Sequence, residues 1–139
     1  MKAAVFHGRD AGMKVEDIPV PTIADDQILV KVAACGACHT DLHYLEHGVA
    51  TFKKPPVVLG HEASGIIEEV GPQVQQFEKG QRVLIPAVLT CGHCTCCRQG
   101  RENICSNMTM LGNHLDGAYA EYVAVPAKDV LELPETVPQ

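Results

Sequence analysis

Five cysteines crowd the stretch Cys91 to Cys105, which reads Cys-Gly-His-Cys-Thr-Cys-Cys-Arg-Gln-Gly-Arg-Glu-Asn-Ile-Cys. Four of them, Cys91, Cys94, Cys97 and Cys105, are spaced C-x2-C-x2-C-x7-C. Three sulfurs at three-residue steps can surround one centre if the backbone coils tightly. Gly92 and Gly100 permit that coiling, because glycine reaches backbone angles other residues avoid. The fourth sulfur returns after a short loop and completes a tetrahedron, the closed arrangement in which Zn2+ takes four thiolates at about 2.3 Å. Disulfides are the competing reading. Adjacent Cys96 and Cys97 make clean pairing awkward, and the total of 7 cysteines is odd. Zinc is favoured over iron, although a tetrahedral thiolate site suits both. Cys96 falls outside the ligand spacing.

A second set of chemistry-bearing residues comprises Cys38, His39, Asp41, His43, His61 and Glu62. Thiol, imidazole and carboxylate groups stand here at the ends of predicted strands, in two stretches that a barrel can bring together. A catalytic zinc needs three protein ligands and one open position, and Cys38 and His61 suit two of them. Asp41 or Glu62 could orient an imidazole from behind, as metal-bound histidines usually require. Spacing alone leaves equal room for a surface helix that happens to be rich in histidine. His7, His47, His93 and His114 read as surface or loop histidines, and His93 is not needed to complete the four-cysteine set.

The elements that must position these groups are mostly short strands. Residues 2–6 and 14–18 flank a turn at Gly8–Gly12 and predict a hairpin. Gln27 to Ala34 is the clearest early strand, with Ile28, Val30 and Val32 on one face and Lys31 in water. His39 to His47 predicts a short helix stopped by Gly48. Ser64 to Val70, Arg82 to Ile85 and Ala118 to Val125 are further strands, and Leu133 to Gln139 reads as an extended, loose end. Six or seven short strands with frequent Gly and Pro turns indicate a mainly β chain, a small barrel or sandwich. Tyr44 and Phe52 could line a cleft or pack in the core.

Composition narrows the function. The 139 residues predict one domain. Without Trp, and with 4% aromatics, the core must be aliphatic. A net charge of -6 leaves no electrostatic footprint for nucleic acid. No apolar run approaches a membrane span, and the N-terminus does not read as a signal peptide. A cytoplasmic location follows as the expectation, with thiols reduced and free for metal.

Gly60-His61-Glu62-Ala63-Ser64-Gly65, followed by Gly71 and Val74, resembles the zinc signature of the zinc-dependent medium-chain alcohol dehydrogenases. Ala34 to His43 resembles the same family's catalytic cysteine segment, and the four-cysteine loop its structural zinc lobe. The three motifs stand in the family's order across essentially the whole chain. The resemblance implies a GroES-like, partly open β-barrel with short helices and a zinc-binding cysteine loop. It implies Cys38 and His61 as catalytic zinc ligands, with Glu62 able to approach the metal. Asp41 would hold the His61 tautomer. Thr40 would take the substrate's hydroxyl proton and pass it through the cofactor ribose towards His43, and His39 would lie near the cofactor pyrophosphate. Cys91, Cys94, Cys97 and Cys105 would hold structural zinc. The implied reaction is hydride transfer between a small alcohol or aldehyde and NAD or NADP, with zinc stabilising charge on oxygen.

The family pattern is not complete here. No G-x-G-x-x-G unit with a following acidic residue occurs, so the nucleotide-binding Rossmann domain is missing, as are the family's third catalytic ligand and its late catalytic-domain strands. Residues 1–139 are therefore expected to be the N-terminal GroES-like part of such an enzyme, inactive alone and open to self-association through surface meant for its partner domain. Two other functions compete: a non-enzymatic zinc scaffold, which needs only the four cysteines, and a thiol redox sensor using Cys35, Cys38 or Cys96, which needs an exposed thiol of low pKa.

Overall fold

The computed structural model describes residues 1–137 of the chain. The first hairpin pairs β1 (Lys2–Phe6) with β2 (Met13–Asp17), closed by the His7 N–H donating to Gly12 O at 2.9 Å. Next come β3 (Gln27–Gly36), helix α1 (His39–Leu45), β4 (Val57–Val58), β5 (Glu62–Val70) and β6 (Arg82–Ile85). The cysteine lobe is bracketed by β7 (Val88–Leu89) and β8 (Thr109–Met110), which pair with each other, and contains the short helix α2 (Thr95–Arg98). β9 (Tyr122–Pro126) and β10 (Leu131–Glu132) complete the strands.

Three sheets result among the described residues, ordered β2-β1-β4, β10-β6-β5-β3-β9 and β7-β8. Residues 117–121 join the first two. Gly117 N–H donates to Val58 O at 2.7 Å, Tyr119 N–H to Leu59 O at 2.9 Å, Ala4 N–H to Tyr119 O at 2.7 Å and Val32 N–H to Glu121 O at 2.9 Å. The chain is mainly β, a partly open barrel with short helices. The strand expected over Ala118 to Val125 becomes regular only at Tyr122, because residues 118–121 divide their hydrogen bonds among three partners.

The main core is aliphatic, as the shortage of aromatics requires: Ile28, Val30, Ile67, Val83, Ile85 and Val125 are almost fully buried between β3, β5, β6 and β9. Each such side chain contributes about 1.5–3 kcal/mol when taken out of water. Lys31 is exposed, as expected, but Leu29, on the same face and opposite to Ile28 and Val30, is buried, so β3 is covered on both sides at its start. Further along, Val32 opposes Gly65 and Ala34 opposes Ser64, which leaves Ala33 without a partner. This bulge reverses the in–out alternation. Val32 and Cys35 consequently both pack against the same core, which uninterrupted period-2 pleating forbids. The bulge also turns the end of β3 towards α1.

The C-terminal stretch differs from its expected looseness. Leu133 N–H donates to Arg82 O at 2.8 Å, and the Arg82 guanidinium donates to the carbonyls of Glu135 and Val137. Pro138 and Gln139 lie outside the described residues. Among the described residues no helix is long and apolar enough to cross a membrane.

Candidate metal centres

The lobe coils as its spacing requires. Gly92 and Gly100 adopt φ values of 75° and 70°. Cys94 caps α2, its sulfur accepting the Cys97 N–H at 3.5 Å, and a 3-10 turn over Glu102–Ile104 delivers Cys105. The ligand atoms of Cys91, Cys94, Cys97 and Cys105 all lie within 4.8 Å of one another. Four of the sulfur separations are 3.5, 3.5, 4.0 and 4.0 Å. Four sulfurs at about 2.3 Å from one tetrahedral zinc stand about 3.8 Å apart, so the donor set fits that ion. Cys96 is outside the group, and so is His93, whose Nδ1 lies 2.8 Å from Cys91 O.

The electrostatics of the lobe also call for a cation. The N–H of Cys97, with the N–H and hydroxyl of Ser106, pulls the Cys94 thiol down to about 5. Cys91 is lowered too, chiefly by the His93 N–H. Cys97 is pushed up to about 12 by burial and by its neighbouring sulfurs. Backbone N–H groups thus favour thiolates, yet four thiolates this close cannot all ionise without a compensating positive charge.

The second cluster is assembled from two places. Cys38 sits at the N-terminal end of α1, just past the β3 bulge, and His61 and Glu62 enter β5. Their ligand atoms also lie within 4.8 Å of one another. Cys38 is half-buried, His61 is 3% exposed and Glu62 faces solvent, so the group opens on one side. Two thiol or imidazole donors with one carboxylate, unevenly buried, suit a zinc site that keeps a position open. Gly60, just before His61, has φ 91°, which turns the chain from the β4 exit into β5.

Behind the donors lies Asp41, 3% exposed. Its Oδ2 accepts the Cys38 N–H at 3.2 Å and its Oδ1 the Gly60 N–H at 3.3 Å. Asp41 Oδ1 stands 3.7 Å from His61 Nδ1, beyond hydrogen-bond range. That nitrogen is the one fully buried side-chain N or O without a hydrogen-bond partner among the described residues. A buried orphan of this kind costs about 1–3 kcal/mol, which a bound ion or a short closing movement would relieve.

Thr40 Oγ1 lies 3.6 Å from Cys38 Sγ at the edge of the cluster. His43 is exposed, three residues on and therefore on the same helical face. Exposed His39 meets His43 with the rings tilted and their centroids 5.2 Å apart, and His43 in turn meets His47 at 5.3 Å. Tyr44 is a core residue packed with Phe6, Val57 and Leu59, whereas Phe52 is exposed and stacks on His114. Burial, and less strongly the charges of Asp41 and Glu62, raises the Cys35 thiol pKa, opposite to what a reactive sensor thiol needs.

One residue near this cluster escaped sequence reasoning. The Tyr119 O–H lies 2.9 Å from Asp41 Oδ2 and 3.1 Å from Gly36 O. An aromatic in a predicted strand carries no motif, so only the alternation in Ala118 to Val125 pointed to it, and that signalled packing.

Residues 24–135 match the family model described as the alcohol dehydrogenase GroES-like domain. The chain is 40% identical over 138 residues to an alcohol dehydrogenase of Geobacillus stearothermophilus, covering 99% of this chain and 41% of that protein. It is 39% identical over 140 residues to a sorbitol dehydrogenase of Bacillus subtilis (strain 168), covering 99% and 39%. Its fold superposes with a TM-score of 0.86 on the cobalt and zinc bound thermostable alcohol dehydrogenase of Pyrobaculum aerophilum, at 30% identity over 95% of this chain and 40% of that one. The chain thus spans about 40% of the length of the curated relatives it matches.

Proposed function

Since this chain belongs to the alcohol dehydrogenase GroES-like domain family, we propose that it is the zinc-bearing catalytic portion of a dehydrogenase that oxidises an alcohol or polyol with NAD or NADP. The observation that carries this reading is the convergence of Cys38, His61 and Glu62, a cluster that a purely structural zinc module does not need. Cys91, Cys94, Cys97 and Cys105 hold a structural zinc that fixes the lobe. Cys38 and His61 hold the catalytic zinc, with Glu62 close enough to join them.

The catalytic ion supplies Lewis-acid polarisation of a substrate hydroxyl or carbonyl oxygen. The chain's own groups do the rest. Asp41 Oδ1 faces His61 Nδ1, and closing their 3.7 Å gap by a few tenths of an ångström fixes the ring tautomer and leaves Nε2 as the donor. Thr40, beside Cys38, takes the substrate hydroxyl proton. His43, one turn further and exposed, would hand that proton on to water. His39, exposed in the first turn of α1, would help hold the cofactor at its pyrophosphate.

The test is a chimera in which residues 1–139 replace the matching segment of the Geobacillus stearothermophilus enzyme. NAD(P)-linked alcohol oxidation by the chimera, abolished by His61→Ala, is the expected result. A folded chimera carrying two zinc ions per chain but no activity overturns the reading, as does activity that survives His61→Ala.

A further inference from the structure

Tyr119 sits where the supports of the second cluster meet. Its ring packs against both small core clusters, Phe6–Tyr44–Val57–Leu59 and Ala3–Val5–Val58. It also packs closely on Gly60, where an added Cβ would stand 2.6 Å from ring atom Cδ1, so the missing side chain of Gly60 makes room for it. Main-chain bonds hold Tyr119 on both sides, to Leu59 O and from the Ala4 N–H. The phenol is thereby delivered to a fixed point between Gly36, at the end of β3, and Asp41, in the first turn of α1.

A phenol has one proton to donate. A carboxylate is the stronger acceptor, and the 2.9 Å contact to Asp41 Oδ2 is the shorter of the two. Burial, then the bond to Asp41, raises the Tyr119 pKa far above the ordinary phenol value, so the group remains a donor. The two Asp41 oxygens then have separate duties. Oδ2 takes the Tyr119 O–H and the Cys38 N–H, while Oδ1 takes the Gly60 N–H and faces His61 Nδ1. The carboxylate cannot turn about its Cβ–Cγ bond without breaking these contacts.

We propose that Tyr119 is a positioning residue for the metal pair Cys38 and His61: its O–H locks the Asp41 carboxylate so that Oδ1 is aimed at His61 Nδ1 and Oδ2 at the backbone of Cys38. This inference rests on Cys38, His61 and Glu62 being a metal site. Loss of an outer partner of this kind typically weakens metal binding by about 10- to 100-fold. Tyr119→Phe is the informative change, because the ring keeps its packing on Gly60 and only the O–H is removed.

The experiment measures Co2+ and Zn2+ binding to the 139-residue chain by competition with a chromophoric chelator, with the four-cysteine lobe as internal reference. Wild type, Tyr119→Phe, Asp41→Asn and the double variant are compared, and the Co2+ visible bands are recorded for each. The expected result is about 10-fold or greater weakening of the second ion in Tyr119→Phe. Lobe affinity and the thermal midpoint stay unchanged, the Co2+ bands of the second site alter, and the double variant is no weaker than Asp41→Asn alone. Wild-type affinity and spectrum in Tyr119→Phe overturn the inference. So do losses that multiply in the double variant, since Tyr119 would then act independently of Asp41. If the wild-type chain holds an ion at the lobe alone, the metal reading of Cys38, His61 and Glu62 fails first, and the inference fails with it.

Discussion

In the lobe, four sulfurs are gathered by a single loop and hydrogen-bonded by the backbone of that same loop, with Cys91, Cys94, Cys97 and Asn107 each donating an N–H to a ligand sulfur at 3.4 to 3.5 Å. The second cluster draws Cys38 from the start of α1 and His61 and Glu62 from the start of β5, and its supports are Asp41, one turn beyond Cys38, and Tyr119, from the distant 117–121 stretch. The lobe carries its own scaffold and closes round its donors. The other group depends on the barrel and leaves one donor, Glu62, in water. A closed shell suits a staple and a half-open one suits a reaction, so independence and openness are the two properties to perturb.

The largest effect is expected at the lobe. Cys97→Ser removes one of the two buried ligands of a closed four-sulfur shell, where binding energies are on the order of 10 kcal/mol. Zinc affinity there should fall by more than about 1000-fold, metal analysis should show one ion fewer per chain, and proteolysis should cut within 91–105. Retention of both ions by this variant would break the comparison. His61→Ala comes next: the second ion is lost while the lobe keeps its own, and the metal-free thermal midpoint moves by less than about 5 °C. Parallel loss of both ions would mean that the two sites are coupled.

Gly60→Ala should be milder. It places an ordinary residue at φ 91° and drives a methyl into the Tyr119 ring. About 1–3 kcal/mol of stability should disappear in denaturant unfolding, with several-fold weakening confined to the second ion. Cys96→Ser should change least, within about 0.5 kcal/mol, with both ions retained and one reactive thiol fewer in a titration of the zinc-loaded chain.

The contrast also separates what could be read from the sequence from what could not. The lobe was legible because ligand spacing within one loop is itself a geometric statement, and Gly92 and Gly100 marked its bends. The β1–β2 hairpin, β3, β5 and β6 were legible from alternation and turn residues, and α1 from its Gly48 stop, although the helix ends at Leu45 rather than His47. For Cys38 and His61, spacing left ligand and surface readings level, and the resemblance supplied their roles. The bulge at Ala33 was hidden, because Val-Ala-Ala offers no turn residue and the extra position exists only relative to β5. Residues 118–121 looked like a plain strand because alternation reports faces, not partners. Tyr119 was missed for the same reason: its task is defined by Gly36, Gly60 and Asp41, and nothing local announces them.

The reach of these contacts along the chain also sets an order in time. The Cys91–Cys105 sulfur contact closes over 14 positions, whereas the Tyr119 bond to Asp41 spans 78. Short loops close sooner than long ones, since less chain freedom is surrendered before the contact forms. As the polypeptide folds, the lobe can capture its ion while β3, β5 and the 118–121 stretch are still finding one another. The first zinc is then a guest of a local loop, and the second has no berth until the barrel is nearly complete. Under scarce metal, that sequence of loading would leave a population of folded, stapled molecules whose second cluster still lacks its ion.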